Sequence, residues 1–371
     1  MRRLSTLAML VSVTLALAAC GSRRPPADYA PDPVLLSRIQ GLRIILPPAA
    51  CPGSRLNAEY FAILNDGTTV PFAERYDRDR PPQLHVMFLS RYSPSALALE
   101  NGDWQMGADP LLSAMEGFTL RVSLRAKPSV VVEETIRPLY SCPQQVYRLL
   151  GRNGGRGEAG GPGPDVTVRL SMLSSPFYSR LIVAGIAVEQ ALPFYVLADA
   201  DQVPQSDWLL VASQGGRGGR GADGTNGTRG VDGQPGCPAS SGGAGGAGGN
   251  GGAGGPGGRG GRLTVVVPDD TPFLAGLVDA IAPGGEGGEG GRAGRGGEGG
   301  RAGTPSNADR RCQGATAGSD GPNGRPGADG REGPHGTRPQ IIERPLTELY
   351  GPMAPATLRA LIARHQQRRG S

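Results

Sequence analysis

The sequence predicts a mainly β protein: an N-terminal β-sandwich, then a glycine-rich region with strands between its repeats, then a short helix. Three observations carry this expectation. Residues 34–150 hold short alternating runs, such as Phe118, Leu120, Val122 and Leu124 with Thr119, Arg121 and Ser123 between them. That period of two is the mark of a strand with one buried face. Three tracts beginning at Gly151, Gly215 and Gly284 are written in triplets with glycine in the first register. Between these tracts the chain returns to apolar, β-branched runs, which supply the core that glycine cannot.

The first element is an address. Met1-Arg2-Arg3 is followed by an apolar stretch from Leu7 to Leu17, closed by Leu17-Ala18-Ala19-Cys20. A basic start, a short apolar segment and a small-residue ending form a secretory signal. The run is short for a comfortable membrane span; an ordinary signal or a membrane helix ending in Cys is the alternative. The Leu-small-small-Cys ending resembles the bacterial lipoprotein signal. That resemblance implies removal of residues 1–19 and a lipid on Cys20 as the mature N-terminus. With Gly21, not Asp, at the next position, it also implies sorting to the cell outer membrane. Residues 20–33, rich in Arg, Pro and Ala, read as an extended tether.

Residues 34–150 then read as all-β. Leu56–Leu64, Asn65-Asp66-Gly67 and Thr68–Phe72 form a hairpin signal. Leu42–Leu46, Leu84–Leu89, Ala96–Leu99 and Val130–Val132 are further strand-like runs, and the polar, Pro-rich Tyr76–Pro82 is a loop. Six or seven short strands in this length predict an immunoglobulin-like sandwich. The Trp and Cys spacing of true immunoglobulin domains is absent, so only the architecture is expected.

Residues 151–340 are the triplet region. The tracts cover 151–165, 215–238 resuming to Arg262 after Ala239-Ser240-Ser241, and 284–304 resuming over 318–338. Three residues per turn without internal hydrogen bonds is the polyproline II helix. In the third tract every third residue is charged, from Glu286 and Glu289 through Arg292, Arg295, Glu298 and Arg301. Such a helix has one hydrated edge and two bare edges where neighbouring backbones can approach and bond. The pattern resembles the glycine-rich polyproline II bundles of some antifreeze proteins and phage adhesin tips, and that resemblance implies a packed bundle. Residues 318–338, with one Gly per triplet and Pro322, Pro326 and Pro334, look more collagen-like and are expected at an edge. Disorder and a collagen trimer are the alternatives for this composition. Read as one rod, the fifteen-residue first tract extends about 46 Å at about 3.1 Å per residue. Val166–Leu170, Leu181–Ala184, Phe194–Leu197, Trp208–Val211 and Leu263–Val267 are the interleaved strands. In the tail, 341–371, Pro355 opens an amphipathic helix with Leu358, Leu361 and Ile362 on one face.

The chain has five Cys. With Cys20 lipidated, an exported protein with four remaining implies two disulfides. Cys51 and Cys142 bracket the first region, and Cys237 and Cys312 mark the interruptions of the second and third tracts. The expected pairs are therefore Cys51–Cys142 and Cys237–Cys312, and no spacing suits zinc. Chemistry is otherwise sparse. His85, His335 and His365 fall in unrelated segments, and no serine has a nucleophile motif. Gly218–Asp223 matches only the start of a calcium β-helix repeat, and Asp199/Asp201 and Asp269/Asp270 read first as turn residues. The net charge of +5 comes with interspersed signs and no aromatics among the Arg-Gly-Gly pieces, which argues against nucleic acid. The expectation is a lipid-anchored envelope protein, structural or adhesive, without catalytic activity, cofactor or metal. It meets the membrane through its lipid, and a protein or glycan at the cell surface is the candidate partner. The competing expectation is a ligand- or carbohydrate-binding protein with its site in the sandwich, where Trp104, Tyr76 and Tyr92 are the candidates for sugar stacking.

Overall fold

The computed structural model describes residues 25–26, 28–141, 145–189, 191–202, 208–306 and 314–370. Strand outweighs helix, 32% to 12%, and the strands form several sheets, so the chain is mainly β. It divides into two compact units: residues up to Asp109 with Glu116–Leu139, and Pro110–Met115 with everything from Tyr140 onward. The signal, Cys20, Cys142 and Cys312 lie outside the described residues.

The first unit opens with a one-turn helix, α1 (Pro33–Arg38). Asp32 caps it by accepting from the Val34 N–H at 2.9 Å, and Pro33 occupies the first helical position. Its strands are β1 (Ile39–Ile45), β2 (Ala49–Ala50), β3 (Arg55–Leu56), β4 (Glu59–Leu64), β5 (Thr69–Ala73), β6 (Leu84–His85), β7 (Leu89–Tyr92), β8 (Ala96–Ala98), β9 (Trp104–Met106), β10 (Phe118–Leu124) and β11 (Lys127–Pro138). They form sheets ordered β1-β4-β5-β6, β2-β11-β10-β7 and β3-β9-β8. The expected hairpin is β4–β5, turned through Gly67 at φ +81°. Alternation in β10 is as expected: Phe118, Leu120, Val122 and Leu124 are buried, and they share one core with Ile39, Tyr60, Ala62 and Phe72.

Three details differ from the sequence expectation. Leu84–Leu89 is not one strand, because a 3-10 turn, Val86–Phe88, separates β6 from β7 and His85 caps it by accepting from the Met87 N–H. Trp104–Met106 forms a strand that the sequence did not mark. The stretch 34–150 is not all-β: besides α1 it holds α2 (Pro110–Glu116), whose Leu111 and Ala114, three apart, share a buried face.

The second unit takes α2 as far as Met115 and adds β12 (Gln145–Leu150), β13 (Val166–Leu173), β14 (Leu181–Val188), β15 (Phe194–Asp199), β16 (Leu209–Gln214), β17 (Leu263–Pro268), β18 (Val278–Ile281), β19 (Gln340–Arg344), α3 (Leu346–Leu349) and α4 (Ala356–Gly370). One array, β12-β16-β18, is wholly parallel. The other runs β15-β14-β13-β17-β19, in which β13, β17 and β19 are parallel neighbours. The glycine tracts join these arrays in order: β12 to β13, β16 to β17, and β18 to β19. The unit is thus built three times from a strand, a glycine excursion and a strand in the other array.

The excursions are hairpins. The first leaves as 151–155, turns at Arg156-Gly157, where Gly157 has φ +71°, and returns as 158–165. The first tract is therefore two short legs and not the 46 Å rod its unbroken register suggests. The second leaves as 215–236 and returns as 242–262. The third leaves as 284–304 and returns as 318–338. The legs contribute no residue to the apolar clusters. One cluster gathers Val168, Ile186, Val211, Val265 and their neighbours from the strands. The other packs Leu111, Tyr140, Leu173 and Leu181 against Leu358 and Leu361 of α4, so the C-terminal helix docks through the expected residues. Tyr350 secures the same region, with its hydroxyl 2.8 Å from the Ser171 hydroxyl and donating to the Val183 carbonyl at 2.9 Å.

Candidate functional site

The glycine legs are tied to one another by backbone hydrogen bonds that recur every third residue. Gly218, Gly221, Gly224, Gly227, Gly230 and Gly233 donate from the second outgoing leg to Glu286, Glu289, Arg292, Arg295, Glu298 and Arg301 of the third, each at 2.8 Å. The returning legs repeat this from Gly242 through Gly260 onto Thr316 through Pro334. Crossing bonds run from Gly243–Gly261 to the second outgoing leg, from Gly285–Gly303 to the second returning leg, and from Gly318–Gly336 to the third outgoing leg. A sheet ladder has a side-chain period of two; here the period is three, and each interior leg bonds to several neighbours. The ladder accounts for backbone groups that neither helix nor strand satisfies.

Close approach requires glycine at these positions. A Cβ at Gly291 would lie 1.8 Å from the Ala222 carbonyl oxygen, and one at Gly255 the same distance from that of Glu158. The number of glycines per triplet follows the number of neighbouring legs. The third returning leg bonds only to the second returning and third outgoing legs, so it lies at the expected edge and keeps one Gly per triplet. The second outgoing leg has Gly216 and Gly219 at its middle position where the first hairpin covers it, with a Cβ at either 2.0 or 1.5 Å from a carbonyl of that hairpin. Beyond the turn at Gly157 the same position becomes Ala222, Thr225, Thr228 and Val231, all exposed. The length of the first hairpin is thus written in the composition of the second.

The third triplet position does more than hydrate an edge, and here the sequence expectation is incomplete. Asp223, Asn226 and Asp232 accept from the backbone N–H of Arg292, Arg295 and Arg301 at 2.8–2.9 Å. Asp320, Asn323 and Asp329 accept from Gly299, Gly296 and Gly290 at 2.7–2.8 Å. These short side chains satisfy the outward-facing donors. The hydrogen bond from the Arg292 backbone, aided by Arg220 and Arg292 charges, holds the Asp223 carboxyl below the usual carboxylate range. Exposed ion pairs such as Arg220–Asp223 and Arg229–Asp232, each 3.0 Å, lie along the same edges.

The residues proposed for chemistry do not converge. Trp104 is fully buried and its Nε1–H donates to the Tyr60 hydroxyl at 2.8 Å, so it is a core residue and cannot stack on a sugar. Tyr76 packs edge-on against Tyr29, and Tyr92 is exposed on β7. The three histidines lie in β6, the third returning leg and α4. Asp201 pairs with Arg180 and its N–H bonds to Asp199, a turn role; Asp270 pairs with Arg369. Among the described residues no group of three or more His, Cys, Asp or Glu could hold a metal. Cys51 and Cys237 are among the described residues, while Cys142 and Cys312 lie outside them.

The first unit has a concave site that sequence reading missed. A cavity of about 790 Å3 is lined by Arg55, Arg75, Arg91 and Arg125, by Glu74 and Glu100, and by His85 with apolar neighbours including Val86, Leu89 and Leu99. Arg55 is paired with the buried Asp103 at 2.6 Å. Arg91 is pinned by the carbonyls of Leu99 and Asp103 and lies over the Trp104 ring, and Arg125 Nε donates to the Leu89 carbonyl at 3.0 Å. His85 is buried; its Nδ1 accepts from Met87, which puts the proton of the neutral ring on Nε2. Burial pushes the imidazole pKa down, against a hydrogen bond to the Glu74 backbone that raises it. No family model matches the chain, and no curated protein or solved structure shows detectable similarity to it.

Proposed function

We propose that the chain is a lipid-anchored protein of the bacterial outer membrane whose glycine-rich region is a rigid structural or adhesive bundle without catalytic activity. In this reading the legs are polyproline II helices, the first unit is a small immunoglobulin-like sandwich, and the bundle presents charged edges to a protein or glycan at the cell surface. The observation that carries it is the period-three ladder: bonded legs make a stiff body, and a leg of about 22 residues extends roughly 68 Å. Among the described residues no helix is long and apolar enough to cross a membrane.

The pairs Cys51–Cys142 and Cys237–Cys312 belong to the same proposal. Ala50, beside Cys51, pairs with Pro138, and its carbonyl accepts from Leu139 at 2.8 Å. Gly236, beside Cys237, bridges to Pro305 and accepts from Ser306. These pairings of neighbouring residues support the reading. Metabolic labelling with a radioactive fatty acid tests the anchor: label on the full chain that is lost in Cys20→Ala is expected, and an unlabelled wild-type chain contradicts it.

A further inference from the structure

We propose that the arginine-lined cavity of the first unit binds a small organic oxyanion, a carboxylate or a phosphate ester, through Arg75, Arg91 and Arg125. The site lies within the first unit, and Pro25 of the tether also lines it. Its charge is the first reason. Among the described residues of the lining, four guanidinium groups stand with two carboxylates, Glu74 and Glu100. Arg55 already has Asp103, but among the described residues no carboxylate lies within ion-pair distance of Arg75, Arg91 or Arg125. Guanidinium forks match carboxylate and phosphate oxygens in pairs.

Preorganisation is the second reason. Arg91 and Arg125 are held by backbone carbonyls and, for Arg91, by the Trp104 ring, so little side-chain freedom remains to be lost on binding. Val86, Leu89, Ala98 and Leu99 give the cavity an apolar side for an organic body, and its volume lies within the roughly 300–1,000 Å3 of small-molecule sites.

Calorimetric titration of the full chain with inorganic phosphate, glucuronate and neutral glucose, at matched ionic strength, tests the proposal. Saturable binding of phosphate or glucuronate, and none of glucose, is expected; which anion binds decides between a phosphoryl and a carboxylate ligand. Arg75→Gln alters an exposed side chain, so its unfolding temperature without ligand should equal wild type. The variant should weaken binding roughly tenfold or more, as expected when a charge-assisted hydrogen bond is lost. No saturable binding of either anion, or unchanged affinity in Arg75→Gln, overturns the proposal.

Discussion

Replacing Gly288 by valine is expected to loosen the bundle at a close contact between two of its backbones. A Cβ at this position lies 2.1 Å from the Gly219 carbonyl oxygen, whereas carbon and carbonyl oxygen pack between neighbouring chains at roughly 3.3 Å. The second and third outgoing legs must therefore part by about 1 Å. The bonds from Gly218 to Glu286 and from Gly221 to Glu289, both 2.8 Å, span that contact and would be broken. Two net hydrogen bonds at about 1 kcal/mol each, with buried groups left unsatisfied at about 1–3 kcal/mol in all, give a loss of roughly 3–5 kcal/mol. For a unit of this size that lowers the unfolding temperature by roughly 6–20 °C. Glu289→Gln is the control on the adjacent residue. Its carboxylate is 3.7 Å from Arg217 and both side chains are more than half exposed, so the change is less than about 0.5 kcal/mol. Thermal unfolding followed by circular dichroism, with limited proteolysis alongside, compares the two. Gly288→Val melting within about 1 °C of wild type, with the same protease resistance, would refute the close-contact reasoning.

Two further outcomes follow from the same geometry. Gly219→Val is expected to be as harmful as Gly288→Val, while Ala222→Val, one triplet along at the same register, is nearly silent in the same melting assay because the first hairpin has already turned back. The folded pKa of Asp223 lies below its unfolded value, so its contribution to stability is present above the ordinary carboxylate range and is lost as pH falls through the folded pKa. Asp223→Asn keeps the acceptor for Arg292, and acid melts from about pH 5 to pH 2 should show a shallower fall in unfolding temperature than wild type.

Much of the fold was legible because period two and period three are hard to confuse. The alternation of Phe118–Leu124 marked a strand, and the apolar runs at Val166, Leu181, Phe194 and Leu263 marked the strands that hold the core. Turns inside a repeat were not legible. Arg156-Gly157 reverses the first tract without disturbing its triplets, since the Gly that takes positive φ also stands in register. The clue was elsewhere, in the change from Gly216 and Gly219 to Ala222, Thr225, Thr228 and Val231, and it acquires meaning only once the legs are neighbours. The roles of Asp223 and Asn226 were hidden for a similar reason: their partners are 69 residues away. The cavity was invisible because Arg55, Arg75, His85, Arg91 and Arg125 come from separate segments that meet only through the pairing of short strands. Likewise α2, with seven residues, is too short to show a helical period.

Residue-resolved amide hydrogen exchange on the full chain tests the central claim, that the glycine legs are ordered by backbone bonds between them. Gly221, Gly224, Gly227 and Gly230 donate to the third outgoing leg and should exchange slowly. Ala222, Thr225, Thr228 and Val231, which alternate with them and donate to no neighbouring leg, should exchange fast. Slow and fast amides interleaved at a period of three are the predicted result. Uniformly fast exchange across residues 215–236, at the rates of an unfolded chain, would contradict it.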